Sequence, residues 1–242
     1  MKKLNHVKGI IFDYGGTIDT NSCHWAEVLW PLYQQLGIPV DKDSFREAFV
    51  FGERSLAKYP FIRPDHDFHD VLRIKMKLHM EFLASKDKLP MDEELLSRYA
   101  IQVADLAYQH VLDVLSVTRP VVASLAAQYK LVLVSNFYGN IETILKDFGL
   151  LSYFSSIVES AVVGVRKPDP AIYQLGVDAM GYAAEEVVVV GDSFSKDVIP
   201  AKKVGCQAVW LKGLGWTQEE NDESIPDVVI TDLAQLPSHL SI

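Results

Sequence analysis

Cysteine is scarce in this chain, and basic residues are outnumbered by acidic ones. Among 242 residues there are only 2 cysteines, Cys23 and Cys206, and they are not arranged as a CxxC or Cys/His metal motif. Neither a disulfide framework nor a zinc site is therefore expected. The chain has 23 Lys and Arg against 32 Asp and Glu, a formal net charge of -9. Nucleic acids and anionic membranes need clustered positive charge, so we expect neither as a partner and favour a small molecule.

Long hydrophobic runs are also missing. The apolar stretch near the N-terminus is only as long as a strand and ends in Asp13, which is unlike a signal peptide, and no stretch approaches the length of a membrane span. The cytoplasm is therefore the expected location. With 49% hydrophobic residues, the chain is able to bury one or two cores.

Hydrophobic periodicity divides the chain into two parts. Residues 20–117 show helical spacing throughout, so we interpret them as an all-helical cap domain, and residues 1–19 and 118–242 as an α/β core domain. Asn21 or Ser22 is the expected N-cap of the first cap helix, with a kink or break at Pro31. The predicted cap helices cover residues 21–36, 43–58, 67–83 and 92–115.

The core alternates strictly between helix and strand. Thr118 is predicted to cap its first helix, with Pro120 in the first turn. Short apolar runs separated by helical spans indicate parallel strands buried on both faces. The sequence thus predicts a doubly wound, Rossmann-like parallel sheet, with strands at residues 7–13, 131–135, 156–160, 187–191, 207–211 and 227–230. The acidic run EENDE at 219–223 is predicted to be a solvated loop.

The stretch GIIFDYGGTID, residues 9–19, is the most informative in the chain. An apolar strand stops at Asp13 and runs into the turn Gly15-Gly16, which delivers a carboxylate to the edge of the sheet. Ligands of open α/β sheets collect at the carboxyl ends of strands, so Asp13 suits a nucleophile or a metal ligand. A solvated turn residue is the alternative interpretation.

Two further stretches end at the same predicted edge. LVLVSNFYG places Ser135 and Asn136 after a strand, where a hydroxyl and backbone N–H groups suit phosphate oxygens, although Ser135 as a helix cap is the alternative. In KPDPAIY, Pro168 biases Lys167 towards an extended conformation just before a helix. Lys167 therefore projects from a stiffened segment, unless it is simply exposed.

A pair of acids follows a run of four valines in VVVVGDSFSKD. Asp192 and Asp197 would repel each other and Asp13 at one edge of the sheet unless a cation lay between them. A site made only of oxygen ligands favours Mg²⁺. The alternative is that both acids cap the following helix.

Together these stretches resemble the motifs of the haloacid dehalogenase-like hydrolases. Asp13 and Thr17 match the first motif, DxDxT, and Gly15 stands in place of its second Asp. SN at 135–136, KP at 167–168 and GDSxxxD at 191–197 are similar to the second, third and fourth motifs. The resemblance spans the whole chain and implies a helical cap placed between the first and second motifs.

The resemblance also implies roles for individual residues. Asp13 is expected to attack phosphorus and form an aspartyl phosphate, Ser135 and Asn136 to bind the phosphoryl group, and Lys167 to offset its charge. Asp13, the carbonyl of Gly15 and Asp192 are expected to bind Mg²⁺, with Asp197 in or beside the metal shell. A phosphatase of a small phosphorylated metabolite is the first hypothesis. Gly15 cannot act as the general acid and base of the family.

Three alternatives follow from the residue at position 15. A non-catalytic phosphate-binding or regulatory protein would keep the fold and the metal. A 2-haloacid dehalogenase-like enzyme would not need Mg²⁺, whereas Asp192 and Asp197 fit a metal site. A phosphonoacetaldehyde hydrolase-like enzyme would need a cap lysine for a Schiff base, and Lys58 is the candidate. Asp19 is considered as a replacement acid, with helix capping as the alternative.

Overall fold

The computed structural model describes residues 4–215 and 221–240 and is built on a six-stranded parallel sheet. The order of the strands is β3-β2-β1-β4-β5-β6. All six predicted strands are present, and their ends differ from the prediction by two residues at most. They are β1 (Gly9–Phe12), β2 (Lys130–Ser135), β3 (Ser156–Glu159), β4 (Val187–Gly191), β5 (Gln207–Leu211) and β6 (Val228–Ile230).

Helices cover both faces of the sheet, as the buried strands require. Successive side chains of a strand point to opposite faces, so Ile10 and Phe12 join one apolar cluster and Ile11 joins another. The first cluster includes the buried side chains of the helical insertion, and the second includes those of a helix that follows β3. The helices after β2 are α5 (Ile141–Asp147), α6 (Ser160–Val163), α7 (Ala171–Met180) and α8 (Ile199–Val204).

The helical insertion between β1 and β2 is confirmed, and it contains no strand among its described residues. We call this insertion the cap. Its last three helices each begin after an aspartate whose carboxylate accepts a backbone N–H, which is why they start where they do. The cap helices are α1 (Trp25–Gln35), α2 (Lys42–Lys58), α3 (Phe68–Ser85) and α4 (Glu93–Ala126).

The predicted start of α1 is wrong, and so is a break at Pro31, whereas a kink there stays a prediction. The helix begins at Trp25 with His24 as its N-cap, because Asn21 and Ser22 adopt left-handed backbone angles, φ 47° and 81°, instead of the extended angles of an N-cap. The helix also runs unbroken through Pro31. Its stripe of buried residues, which includes Leu29 and Tyr33, packs on the other cap helices on both sides of the proline.

The predicted helix start at Thr118 is also wrong. Helix α4 is 34 residues long and continues through Thr118 and Pro120. The Thr118 hydroxyl instead donates to the carbonyl of Ile18 at 2.8 Å and to that of Val114 at 3.3 Å. A continuous helix therefore crosses the predicted boundary between residues 117 and 118. At this boundary it contacts Ile18, which lies in the segment that leads from β1 into the cap. The division into domains at 19/20 and 117/118 stays a prediction.

The order of the strands places a crevice beside β1. From β1 the chain adds β2 and β3 on one side and then crosses to β4, β5 and β6 on the other. The carboxyl ends of β1 and β4 therefore form the point at which the winding of the sheet reverses, where open α/β sheets bind ligands. Asp13 follows β1 and Asp192 follows β4.

Across residues 4–215 and 221–240, none of the helices combines the length and apolarity needed to cross a bilayer. Residues 219 and 220 of the acidic run lie outside the described residues, and its remainder belongs to the loop before β6.

A buried histidine in the cap predicts a pH-dependent stability. The His79 ring is 0% exposed, and burial lowers its pKa from 6.5 to about 3. The folded chain thus binds fewer protons than the unfolded chain between these values, so the free energy of unfolding falls as the pH falls, by up to about 1.4 kcal/mol per pH unit. His79→Asn should reduce the slope of the free energy of unfolding against pH in denaturant titrations below pH 6.5, while the exposed control His6→Asn should leave that slope unchanged. An unchanged slope in His79→Asn would contradict the assignment.

Candidate active site

Asp13 lies at the centre of the sheet edge. The last residue of β1, Phe12, pairs with Leu133 of β2 and Val190 of β4. Asp13 follows directly, and its N–H donates to the Val190 carbonyl at 3.0 Å. The residue is 7% exposed, which excludes the solvated-turn interpretation. Burial raises the pKa of the Asp13 carboxyl to about 6, against the opposing charge of Lys167.

Lys167 bridges two carboxylates from the loop before α7. Its Nζ lies 2.6 Å from Asp13 Oδ1 and 2.7 Å from Asp197 Oδ1, and the side chain is 3% exposed. Burial acts to lower the pKa of Lys167, but the two carboxylates outweigh it and raise the pKa above its usual value. The lysine is therefore buried and charged, and the exposed alternative is excluded.

The segment after β2 holds the Lys167 loop in place. The Asn136 side chain accepts the Lys167 N–H at 2.9 Å and donates to the Lys167 carbonyl at 3.1 Å. Both ends of the Asn136 amide are thus engaged with the backbone of the lysine loop, which gives this side chain a positioning contact. Ser135 is 2% exposed at the end of β2. Binding of phosphate by Ser135 and Asn136 stays a prediction.

Three carboxylates converge beside Lys167. Asp13, Asp192 and Asp197 each offer an oxygen atom, and the three atoms lie within 4.8 Å of one another. Three negative charges and one ammonium leave the cluster with a formal charge of -2. Burial raises the pKa of Asp192 well above its usual range, and the charges of Asp13 and Asp197 raise it further. A divalent cation would neutralise this cluster, and oxygen ligands of this kind fit Mg²⁺.

The hydrogen bonds of the acids distinguish their roles towards a cation. Asp197 Oδ1 accepts from Lys167 and, at 2.6 Å, from the Tyr173 hydroxyl, and Oδ2 accepts the Ser193 N–H at 2.9 Å. Within the described residues, the hydrogen bond to the Asp192 carboxylate is a long one, 3.4 Å from Thr17 Oγ1 to Oδ1. Both oxygens of Asp197 are therefore engaged, whereas Asp192 is available to bind a metal directly.

Gly16 is needed so that the Asp192 carboxylate can approach the first turn. Its φ is +91°, and a Cβ at this position would lie 2.4 Å from Asp192 Oδ2. Any side chain at position 16 would therefore displace Asp192 in addition to straining the turn.

Comparison with known proteins shows the family to which this chain belongs. The sequence profile described as haloacid dehalogenase-like hydrolase matches residues 7–205, well over half of the chain. The chain belongs to the haloacid dehalogenase-like hydrolases. The fold agrees, because the magnesium-bound HAD-hydrolase YfnB from Bacillus subtilis superimposes with a TM-score of 0.61 at 20% identity, covering 98% of this chain and 100% of YfnB. Identity this low supports the fold alone.

Several curated relatives carry phosphatase names. The phosphoserine phosphatase of Thermus thermophilus is 39% identical over 89 residues, which are 36% of this chain and 34% of that protein. Haloacid dehalogenase-like hydrolase domain-containing protein 3 of Danio rerio is 36% identical over 107 residues, 44% of each chain. The chain thus spans less than half of the length of these two relatives. A phosphoglycolate phosphatase of Shigella boydii is 27% identical over 253 residues, covering 98% of this chain and 93% of that protein.

This haloacid dehalogenase-like hydrolase does not use Asp19 to cap a helix, so that alternative is wrong. The carboxylate accepts the Gly16 N–H at 2.7 Å and the indole N–H of Trp25 at 2.9 Å. Asp19 is 1% exposed, and burial raises its pKa to about 7. It therefore fixes the turn after Asp13 and connects that turn to α1.

Lys58 is exposed at the end of α2, with its ammonium 5.1 Å from the Tyr59 ring. The proposed Schiff-base lysine of the phosphonoacetaldehyde alternative therefore lies on the surface of the cap. The buried lysine of the cap is instead Lys75, which is 6% exposed.

Sequence reasoning missed two further groups beside the haloacid dehalogenase-like site. Tyr173, whose hydroxyl binds Asp197, stands six residues after Lys167, and its position in the first turns of α7 was a usable signal. Lys75 pairs with Glu53, and nothing in the sequence distinguishes either from the other charged residues of the amphipathic cap helices.

Proposed function

We propose that this chain is a Mg²⁺-dependent phosphatase that hydrolyses a small phosphorylated metabolite through an aspartyl phosphate at Asp13. The observation that carries the proposal is the buried contact of 2.6 Å between Asp13 and Lys167, at an edge of the sheet where Asp192 is free to hold a cation. A buried carboxylate that is oriented and charge-balanced in this way is suited to nucleophilic attack. The phosphatase names of the relatives support the same class of reaction.

In the first step one carboxylate oxygen of Asp13 attacks phosphorus, and the bond between phosphorus and the leaving-group oxygen breaks. Lys167, held by Asn136 and Asp197, offsets negative charge on the phosphoryl oxygens. Ser135 donates its hydroxyl to one of these oxygens from the end of β2. Water then attacks the aspartyl phosphate, releases phosphate and regenerates Asp13.

The metal is expected to be held by Asp13, Asp192 and the carbonyl of Gly15, with Asp197 acting through its hydrogen bonds. When bound, Mg²⁺ supplies positive charge that stabilises the phosphoryl oxygens. Asp197 meanwhile keeps Lys167 in place, because its Oδ1 accepts from both Lys167 and Tyr173.

Gly15 determines which substrates this enzyme handles best. A glycine cannot donate a proton to a leaving alcohol or accept one from water, and such groups typically contribute about 10²- to 10⁴-fold to the rate. Aryl and acyl phosphates have leaving groups that need no proton, so they should be the better substrates for cleavage.

Removing one ligand should weaken the binding of Mg²⁺. Asp192→Ala deletes the carboxylate that is free to coordinate, so the affinity for Mg²⁺ in calorimetry should fall by at least about tenfold, as for loss of a charged hydrogen-bonding group. Asp178→Ala, which removes an exposed carboxylate from α7, is the matched control and should bind Mg²⁺ like the wild type. Equal affinity in Asp192→Ala and the control, or no affinity in the wild type, would contradict the metal site.

A hydrolysis screen tests the function itself. The panel contains alkyl phosphates, aryl and acyl phosphates, phosphonoacetaldehyde and 2-chloropropionate, each with Mg²⁺ or with chelator, and with Asp13→Asn as the blank. Mg²⁺-dependent release of phosphate that is lost in the blank supports the phosphatase. Cleavage of 2-chloropropionate without Mg²⁺, cleavage of phosphonoacetaldehyde alone, or binding of phosphate without turnover would each replace the proposal by the corresponding alternative.

A further inference from the structure

The cap contains a buried ion pair that the proposed chemistry does not use. Lys75 of α3 is 6% exposed, and its Nζ lies 2.7 Å from Oε1 of Glu53 on α2. The Glu53 side chain is 36% exposed, so the glutamate is accessible from one side, whereas the Lys75 side chain is buried. Burying two charges costs several kcal/mol unless other polar groups complete their hydrogen bonds.

Contacts connect the pair to the catalytic edge of the sheet. The Tyr138 hydroxyl donates to Glu53 Oε2 at 2.9 Å, and Tyr138 stands three residues after Ser135. On the other side, the Trp25 ring lies 5.7 Å from Lys75 Nζ, while its indole N–H donates to Asp19. The pair thus lies over the end of the sheet that carries Asp13, on the cap side of the site.

The hydrogen bonds of the pair are incomplete. Glu53 Oε1 is buried and, among the described residues, has the Lys75 ammonium at 2.7 Å as its neighbouring donor, while the Tyr138 hydroxyl donates to Oε2. A carboxylate has about four acceptor positions, so these contacts leave some of them unused. Lys75 otherwise faces the rings of Trp25 and Tyr138, at 5.7 Å and 6.0 Å. An ammonium carries three donors, so the pair offers both donors and an acceptor to a third group.

The charge of the surroundings decides which third group fits. Lys75 is already paired with Glu53, and Asp19 lies beyond Trp25, so a ligand carboxylate would have to compete with Glu53 for the same lysine. A hydroxyl both donates and accepts, so it is able to bond to Lys75 and Glu53 without separating them. The rings of Trp25 and Tyr138 add apolar faces for C–H groups.

We propose that Glu53 and Lys75 form the subsite for the leaving group, and that this group is an uncharged polyhydroxylated alcohol, as in a sugar phosphate or a polyol phosphate. This inference rests on the proposed phosphatase function, because it names the substrate class of the same site. Lys75 and Glu53 bind hydroxyl groups of the substrate, and Trp25 packs against its carbon skeleton.

The test measures inhibition, because alkyl phosphates are expected to be slow substrates. The assay follows hydrolysis of p-nitrophenyl phosphate in the presence of four phosphates tested as inhibitors. Ribose 5-phosphate and glycerol 1-phosphate separate the sugar from the polyol, and phosphoglycolate and phosphoserine carry carboxylates. In the wild type the ratio of the inhibition constant of a carboxylate-bearing phosphate to that of a hydroxylated phosphate should be at least about 10. Lys75→Met and Glu53→Gln should each reduce that ratio by about tenfold or more, the usual effect of losing a hydrogen bond to a charged group.

A matched control exists on the same helix. Lys77 forms an ion pair with Glu81 on the exposed side of α3, with side chains 72% and 54% exposed, so Lys77→Met removes a lysine and an ion pair without touching the subsite. This variant should keep the wild-type ratio. A ratio between two inhibitors is also insensitive to a variant that only lowers the amount of folded enzyme.

Four results would overturn the inference. Tighter inhibition by phosphoglycolate that is lost in Lys75→Met would assign the lysine to a carboxylate, and an unchanged ratio in both variants would make the pair a contact between cap and core only. Cleavage of phosphonoacetaldehyde abolished by Lys75→Met would make Lys75 a Schiff-base lysine.

If wild-type p-nitrophenyl phosphate hydrolysis does not exceed that of Asp13→Asn, the proposed function fails by itself. Calorimetric binding of ribose 5-phosphate with Mg²⁺ to wild type and Lys75→Met then decides the subsite, and equal affinities overturn it.

Discussion

Asp13→Asn should reduce Mg²⁺-dependent hydrolysis of an aryl phosphate by at least about 10³-fold, the scale on which loss of a covalent nucleophile is felt. The amide of Asn is nearly the same size as the carboxylate but does not attack phosphorus. The change also removes one charge that holds Lys167, so both attack and charge balance are lost. Initial rates at saturating Mg²⁺ measure the effect, with chelator as the baseline.

The fold should survive this change. Asp13 lies in a cluster of three acids, and burial raises its pKa. A neutral side chain at position 13 therefore removes the repulsion that the Asp13 carboxylate exerts on Asp192 and Asp197. The melting temperature of Asp13→Asn should be no lower than that of the wild type. Asp65→Asn, on an exposed cap carboxylate paired with Arg63, is the control and should keep full activity. Activity retained in a folded Asp13→Asn variant would contradict the assignment of the nucleophile.

Gly15→Asp should increase turnover on alkyl phosphates by about 10²-fold or more, because it restores a general acid and base where the family carries one. The structure has room for the change. Gly15 is not among the glycines with positive φ, and of the atoms in the described part of the chain a Cβ there would meet Asp19 Oδ2 alone, at 4.0 Å. Aryl phosphates should gain less in the cleavage step, since their leaving groups need no proton.

Gly15→Asn is the matched control for this gain. Asn has the size and hydrogen-bonding atoms of Asp but does not transfer a proton, so it should give no increase. Stability and Mg²⁺ affinity are measured for both variants, because the new Asp adds a negative charge near Asp13 and Asp19. A folded Gly15→Asp variant that binds Mg²⁺ and gains nothing on any alkyl phosphate would contradict an impaired phosphatase and favour a binding protein.

The sheet could be predicted from sequence because its signal is local. Each strand is a short apolar run that ends in a turn or a polar residue, so β4 and β5 have the predicted limits and the other strands differ by two residues at most. The helix ends in the cap were harder, because tertiary contacts determine them. Thr118 has the character of an N-cap, yet packing carries α4 through it and its hydroxyl bonds to Ile18.

The same distinction holds for the site. Asp13, Lys167, Asp192 and Asp197 each follow or precede a regular element at the same edge of the sheet, and the structure brings these four side chains together. The contacts of the cap could not be read, because the direction of a side chain on an amphipathic helix depends on how that helix packs. Position in the sequence favours Lys58 as the cap lysine of the site, but Lys58 is exposed, whereas Lys75 is buried.

Rapid quenching tests the central claim, covalent catalysis by Asp13, most directly. Because Gly15 cannot activate water, hydrolysis of the aspartyl phosphate should be slow relative to its formation from an aryl phosphate, so the intermediate should accumulate. Wild-type enzyme mixed with Mg²⁺ and an aryl phosphate, quenched in acid and digested, should carry one phosphoryl group on the peptide that contains Asp13, together with a burst of the aryl alcohol close to the enzyme concentration. Steady turnover with no burst and no phosphoryl group on Asp13, or with the group on another residue, would contradict the account.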